Sequence, residues 1–304
     1  MGKNYQYLDG QISYHHSLDT SPDPGQFPMH AHEQHEIYFF ISGRASYIVE
    51  GSEYRLEGGA LMIMRAGEVH KPNIQPGYAY ERMALNFGNE LLWAIDPDGL
   101  LERPFLDRPL GIGNYYPRAL IRSSFVYECM KGMECTGSRQ QQRVALLANL
   151  YPILAEILRV YDLGERPAAF EPVDRMQEVI IYINEHLSED LSVDLLASHF
   201  YLSKPQLSRR FKQVTGTSIW EYVILKRLMR ARRLIGRGER VMNAAQQCGF
   251  HDYSAFYRAY KARYGCSPLE DKGPAPVVDG FVENPASFLA HDNRSYDVHT
   301  SNEV

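Results

Sequence analysis

Two sets of side chains in this sequence have types and spacing that could do chemistry. The first is His30, His32, Glu36 and Tyr38, joined later by His70. His30, His32, Glu36, Tyr38 and Phe40 share even parity, so on one regular strand all five face the same side. A carboxylate, a phenol and several imidazoles on one face can exchange hydrogen bonds with the hydroxyls of a small polyol. The second set lies near the other end. At 100° per residue, Pro205, Ser208, Arg209 and Lys212 fall opposite the apolar Leu207, Phe211 and Val214. Ser254, Tyr257, Arg258 and Lys261 likewise fall opposite Phe256, Tyr260 and Tyr264. Arg, Lys and hydroxyl groups on a helix face can contact base edges and phosphates in a major groove.

The elements that must carry the second set are written twice. Residues 192–211 and 243–260 each read as a short helix with a small residue at its crossing point, Ala197 or Ala245, then a turn and a second helix. Ser203 and Asp252 stand where a helix cap belongs. Gly249 gives the second turn its backbone freedom. A helix from Tyr222 to Gly236 separates the two motifs by roughly 22 Å at 1.5 Å per residue. Successive major-groove segments lie about 34 Å apart, a span the connecting and recognition helices can bridge together. Residues 203–264 hold fourteen Lys/Arg and three Asp/Glu, a net of +11, so the rest must carry −16 for the chain to sum to −5. That asymmetry marks a nucleic-acid-binding module attached to something else.

The elements that carry the first set are short strands. Tyr5–Tyr14 turns at Asp9-Gly10; Glu36–Ser42, Ala45–Glu50, Tyr54–Leu56, Leu61–Met64 and Tyr80–Phe87 follow, broken by glycines. This predicts a small all-β barrel or jelly roll. Residues 91–116 read as irregular, and 117–134 and 140–161 as helices. Leu147, Leu150, Leu154, Ile157 and Tyr161 form a 3-4-3-4 seam that packs on the barrel, on a second copy of the helix, or on both. Pro152 kinks that helix or marks its first turn.

A chain of 304 residues with 44% hydrophobic and 23% charged residues allows two ordinary globular domains. No uninterrupted apolar run reaches the roughly 18 residues of a membrane span. The start, Met1-Gly2-Lys3-Asn4-Tyr5, lacks a signal peptide's apolar core. Cys129, Cys135, Cys248 and Cys266 lack zinc spacing and read as reduced thiols. The expectation is a cytoplasmic protein with no membrane partner.

Two resemblances sharpen these expectations. Residues 174–268 resemble the DNA-binding domain of the AraC family of bacterial transcription regulators, through Leu207-Ser208-Arg209-Arg210-Phe211-Lys212, the helix from Tyr222 to Ile235, and Gly249-Phe250-His251-Asp252 through Phe256, Arg258, Tyr260, Gly265, Ser267 and Pro268. The family usually has an aromatic-basic pair after that proline; this chain has Leu269-Glu270-Asp271-Lys272. The spacings Gly25-x4-His30-x-His32-x3-Glu36-x6-Gly43 and Gly59-x7-Gly67-x2-His70-x2-Asn73 resemble the two signature motifs of the cupin barrel, one residue short from Gly25 and with Arg65 where proline is common. In metal-binding cupins the residues matching His30, His32, Glu36 and His70 hold a divalent metal, whereas most AraC-type sensors bind organic effectors without one; the expectation here is a pocket without a cofactor that hydrogen-bonds its effector, with a divalent metal at those four residues as the alternative.

The implied architecture is multidomain: an N-terminal all-β cupin-like barrel with linking helices, and a C-terminal all-α domain with two helix-turn-helix motifs. Its parts are an effector-sensing barrel over 1–110, helices over 111–162 that pack on it and dimerise, a linker over 163–172, the DNA-binding domain over 173–270 and a flexible tail over 271–304. The expected function is effector-responsive transcription regulation without a catalytic role. Its expected partners are double-stranded DNA, a small molecule with carbohydrate as one fitting class, a second copy of the chain and, for an activator, RNA polymerase. The competing reading is a metal-dependent cupin oxygenase or isomerase fused to a DNA-binding module.

Overall fold

The computed structural model describes residues 4–27, 29–92, 95–164 and 176–271. The predicted linker falls almost wholly, and the tail beyond Asp271 entirely, outside the described residues. The first half is a pair of facing sheets. One has the order β1-β2-β8-β3-β6-β9 and the other β5-β4-β7. In chain order the strands are β1 (Asn4–Leu8), β2 (Ile12–Asp19), β3 (His35–Ser42), β4 (Ala45–Val49), β5 (Ser52–Arg55), β6 (Leu61–Met64), β7 (His70–Ile74), β8 (Tyr80–Phe87) and β9 (Tyr115–Tyr116). Strand alternation sorts the side chains. Tyr38, Phe40, Met62, Tyr80 and Ala84 face the second sheet and pack with Tyr47, Val49 and Tyr54. Ile37, Phe39, Ile63, Met83 and Leu85 face helices on the other side.

Those helices are α1 (Arg103–Leu106), α2 (Ser123–Gly132) and α3 (Arg139–Asp162). A capping box between Ser138 and Gln141 starts α3. Pro152 lies inside it without ending it; its missing N–H leaves the carbonyl of exposed Ala148 to solvent. The apolar seam packs on the barrel: Leu150, Leu154 and Ile157 are fully buried there. They are therefore not available as a surface between copies. Among the described residues α3 is the one helix long and apolar enough to cross a membrane, with a mean hydropathy of 1.4 over its best window. Its barrel side nevertheless belongs to a protein core.

β7 was not legible as a strand because it contains Pro72. The ladder tolerates that proline. His70 exchanges its backbone hydrogen bonds with His30, on the side away from β4, so Pro72, two residues on, also points its missing N–H away from β4.

One buried polar cluster ties the barrel to the 103–116 stretch, which, against the expectation of irregular chain, holds α1 and β9. Arg108 holds Glu68 through two parallel hydrogen bonds of 2.7 Å. The same carboxylate accepts from Asn114 at 3.0 Å, Gly111 N at 3.0 Å and Arg65 N at 2.9 Å. Burial would raise the carboxyl's pKa, but the Arg108 guanidinium overrides it and lowers it to about 2.

The second half is all helical: α4 (Met176–Glu185), α5 (Val193–His199), α6 (Lys204–Thr215), α7 (Ile219–Gly236), α8 (Val241–Gln247) and α9 (Tyr253–Tyr264). Val179, Ile180, Ile183 and Leu187 are buried, as their spacing predicts. A capping box of Ser218 and Glu221 starts α7. Asp252 caps α9 by accepting from Ser254 N, but Ser203 sits at the cap position of α6 with no side-chain cap bond. Gly249 has φ +83, and a Cβ there would lie 2.6 Å from the Leu187 carbonyl oxygen. That carbonyl accepts from Arg227, which also reaches the carbonyls of Gly249 and Glu189 at 2.8 and 2.6 Å. One buried guanidinium thus fastens the two helix-turn-helix units together. Asp271, inside the departing 269–272 stretch and expected to begin the flexible tail, instead accepts from Arg232 and Tyr260 and anchors the end of the domain.

The helical half packs directly on the barrel. Ala31 and Val69 are buried in the same apolar core as Val179, Ile180, Phe211 and Tyr222.

Candidate functional site

The four residues singled out by type and spacing converge. The ligating atoms of His30, His32, Glu36 and His70 all lie within 4.8 Å of one another. The route differs from a single regular strand. β3 begins only at His35, and residues 30–34 approach as a loop held by the His30–His70 bridge and by Gly67 N donating to His32 O at 2.8 Å. Glu36 comes from β3 and His70 from β7, so the cluster sits where the two sheets meet. Tyr38 also faces inward, its hydroxyl hydrogen-bonded to that of Tyr80.

Hydrogen-bond accounting at the cluster is informative. His32 Nδ1 lies 2.8 Å from Gln34 O, and His70 Nδ1 lies 2.8 Å from Glu68 O. A carbonyl only accepts, so each Nδ1 must donate. The Nε2 of the same rings point at one oxygen of Glu36, at 2.7 and 3.1 Å. An ionised carboxylate also only accepts. Both rings then need a second proton, or a cation must stand among the three acceptors. Burial works against the Glu36 charge, but the contacts with His32 and His70 hold its carboxyl below the usual carboxylate range. For His70 burial works in the other direction, and the bond to Glu36 raises its pKa overall.

The donor set fits a first-row divalent ion. Atoms bound to one ion at about 2.0–2.2 Å lie no more than about 4.4 Å apart, so small shifts, inward across the widest pair and outward at the 2.7 Å His32–Glu36 contact, would seat one. Backbone carbonyls already hold the Nδ1 sides of two rings, the usual outer support of a metal-binding imidazole. Sequence reading missed two neighbours, the ring of Tyr47 stacked 6.0 Å from His70 and Asn86 paired in register with Glu36. The alternation in Tyr80–Phe87 was the available signal, since it puts Tyr80 and Asn86 on one face.

The second site is a pair of exposed helix faces. Pro205, Ser208, Arg209 and Lys212 on α6 are all exposed, as are Ser254, Arg258 and Lys261 on α9; Tyr257 is half-buried. Beneath them Leu207, Phe211, Phe256 and Tyr260 are fully buried. The bulk charge of this half overstates what faces outward. Lys226, Arg227 and Arg232 are engaged internally, with Glu50, three carbonyls and Asp271 respectively.

Comparisons with known proteins match both halves. The Helix-turn-helix domain family matches residues 196–272, and the Cupin domain family matches residues 19–77, a span that contains all four cluster residues. Over nearly the whole chain the relatives are regulators. The "HTH-type transcriptional activator RhaS" of Escherichia fergusonii is 26% identical over 253 residues, covering 81% of this chain and 87% of that protein. Its counterpart in Salmonella schwarzengrund is 27% identical over 252 residues, covering 80% and 87%. Both domains, and the relatives that span most of the chain, are those of AraC-type transcription regulators. Among solved structures, the DNA-binding domain of AdpA in complex with a target DNA is 32% identical, covers 32% of this chain and 87% of that one, and has a TM-score of 0.31. ToxT from Vibrio cholerae is 12% identical, with coverage of 88% and 96% and a TM-score of 0.36. With a cupin-like domain and a helix-turn-helix domain the chain is a DNA-binding transcription regulator, and its relatives are regulators.

Proposed function

We propose that this chain is an activator switched by a small oxygen-rich effector held at His30, His32, Glu36, Tyr38 and His70. A divalent cation bound by His30, His32, Glu36 and His70 is part of that site. The observation that carries the reading is the donor accounting at Glu36: two rings and a carboxylate present acceptors to one another, and a cation resolves all three at once. Such a cation supplies open coordination positions for oxygen ligands. Carbohydrate is the effector class that fits, since tyrosines of the core between the sheets, Tyr38, Tyr47 and Tyr80 among them, lie beside the cluster.

Two measurements test this. Elemental analysis of the full chain, purified without an affinity tag, should find about one equivalent of a transition metal, lost in His32→Ala. A thermal-shift panel of aldopentoses and aldohexoses should give at least one sugar that stabilises the parent and not Glu36→Gln. Absence of metal in the parent together with a flat sugar panel would sink the proposal.

On DNA, Pro205, Ser208, Arg209, Lys212, Ser254, Tyr257, Arg258 and Lys261 form the reading surface in this proposal. A bacterial cytoplasm is the compartment, RNA polymerase is the partner of an activator, and the working unit is a homodimer. Support for the dimer surface comes from the outward side of α3, where Val144 is 65% exposed and Ala148 and Ala155 are also exposed. Ala148→Glu should shift sedimentation from dimer to monomer without unfolding the barrel. Leu150→Ala should instead cost about 2–5 kcal/mol of stability, because it empties a packed site. Unchanged dimers in both Ala148→Glu and Val144→Glu would remove this face from the interface.

A further inference from the structure

Segment 29–33 has two faces with different owners. His30 and His32 belong to the cluster in the barrel. Met29 and Ala31, between and beside them, pack into the core of the first helix-turn-helix unit. Glu33 forms an ion pair with Arg232 of α7 at 3.4 Å and accepts from the hydroxyl of Tyr264 of α9 at 3.2 Å. The Ala31 carbonyl accepts from Arg263 at 3.3 Å.

The opposing segment 67–70 is built the same way. His70 turns into the cluster and Val69 turns out to the helical core. The Gly67 carbonyl accepts from Lys226 of α7 at 2.6 Å. Val69 exchanges backbone and side-chain bonds with Glu50, and buried Glu50 in turn holds both Lys226 and the Tyr222 hydroxyl. Beside it, Gly51 leaves no room: a Cβ would lie 2.8 Å from Ile180 and 2.9 Å from Val214. The docked surface of α7 is thus Tyr222, Lys226, Met229 and Arg232, at helical spacing on one side of the helix that separates the two recognition helices.

We propose that segments 29–33 and 67–70 are the coupling element of this regulator. Filling the His30–His32–Glu36–His70 cluster spreads side chains that now bond to Glu36. Because each segment is only one residue thick between cluster and α7, the outward residues Ala31, Glu33 and Val69 shift with it, and the grip on α7 loosens. The connecting helix is then free to set the spacing of α6 and α9 that DNA demands. The idea rests on the proposed function only for the identity of what fills the cluster. Coupling of this kind is reciprocal and typically changes affinities by about 5- to 150-fold.

The test needs no ligand, so it is separate from the metal and sugar measurements. Hydrogen–deuterium exchange of the full chain is followed in peptides from 219–236, from 29–33, and from α3 as an internal reference. Glu36→Gln and His32→Gln each disturb the cluster; Lys226→Met disturbs the docking directly. Exchange in 219–236 should rise about tenfold in either cluster variant with α3 unchanged. Lys226→Met should in turn raise exchange in 29–33. If Lys226→Met speeds 219–236 but neither cluster variant does, the coupling is absent even where metal and sugar bind as proposed. Uniform acceleration in both cluster variants, α3 included, also overturns it, because the cluster then supports the whole barrel rather than the seat of α7.

Discussion

Arg108→Met should lower the stability of the chain at neutral pH by about 3–5 kcal/mol, the cost of stranding a buried charge. Glu68 is completely buried and directs every accepting position at Arg108, Asn114, Gly111 and Arg65. Removing the guanidinium leaves a buried carboxylate whose nearest remaining cation is Arg65, its Nε 3.9 Å away. The sign of the pH dependence follows. The Glu68 carboxyl is lowered from 4.5 to about 2 in the folded state. The stability it contributes is therefore fully present above pH 4.5 and is lost as pH falls toward 2. Urea unfolding of parent and variant should show its widest gap near pH 7 and a narrower gap near pH 3, where the stranded carboxyl can protonate. Glu68→Gln in the Arg108→Met background should recover part of the loss. Equal unfolding midpoints for parent and Arg108→Met would show that the pair is not what joins 103–116 to the barrel.

Arg209→Ala and Arg258→Ala should each weaken the specific DNA site by about 1–3 kcal/mol and relax base preference at the position read. The two arginines sit on exposed helix faces over buried aromatic or aliphatic neighbours, so truncation removes a contact to DNA and leaves packing intact. Lys212→Ala should act differently. It should weaken all sequences alike and reduce the slope of affinity against salt by about one unit. Mobility-shift titrations at several salt concentrations, on the specific site and on scrambled DNA, separate the two behaviours. Parent-like specific binding by both arginine variants would mean that α6 and α9 face DNA with other residues. Arg227 is a useful contrast: buried among three carbonyls, it should unfold the domain when truncated rather than alter base preference.

Much of this was legible in the sequence, for reasons that also explain what was not. Periodicity exposed the helix faces of α6 and α9, because each helix has a single buried side whose spacing survives in the chain. The histidine cluster was legible through its spacing, even though residues 30–34 are not the regular strand that parity assumed. What packs against a periodic face was not legible. The seam at Leu150 and Leu154 reads the same whether its partner is a barrel or a second helix, and the structure gives it to the barrel. Pairs distant in sequence were also invisible: nothing in the composition near Glu68 announces Arg108, and nothing near Glu50 announces Lys226. Net charge misled in detail, since it counts buried structural cations with exposed ones. Pro72 hid β7 because its harmlessness depends on which side of the strand His30 occupies.

The single bridge between His30 and His70 has a consequence for local opening beside the cluster. The two residues exchange backbone hydrogen bonds of 3.1 and 2.8 Å. The next hydrogen-bonded step along β7 falls at Pro72. It cannot donate, so the seam gains no bond from that position. Parting it forfeits two hydrogen bonds, each worth about 0.5–1.5 kcal/mol net, and disturbs the packing of Ala31 and Val69 in the helical core. The bridge is therefore a single closure between the two sheets, and local opening at it leaves the ladders of both sheets paired.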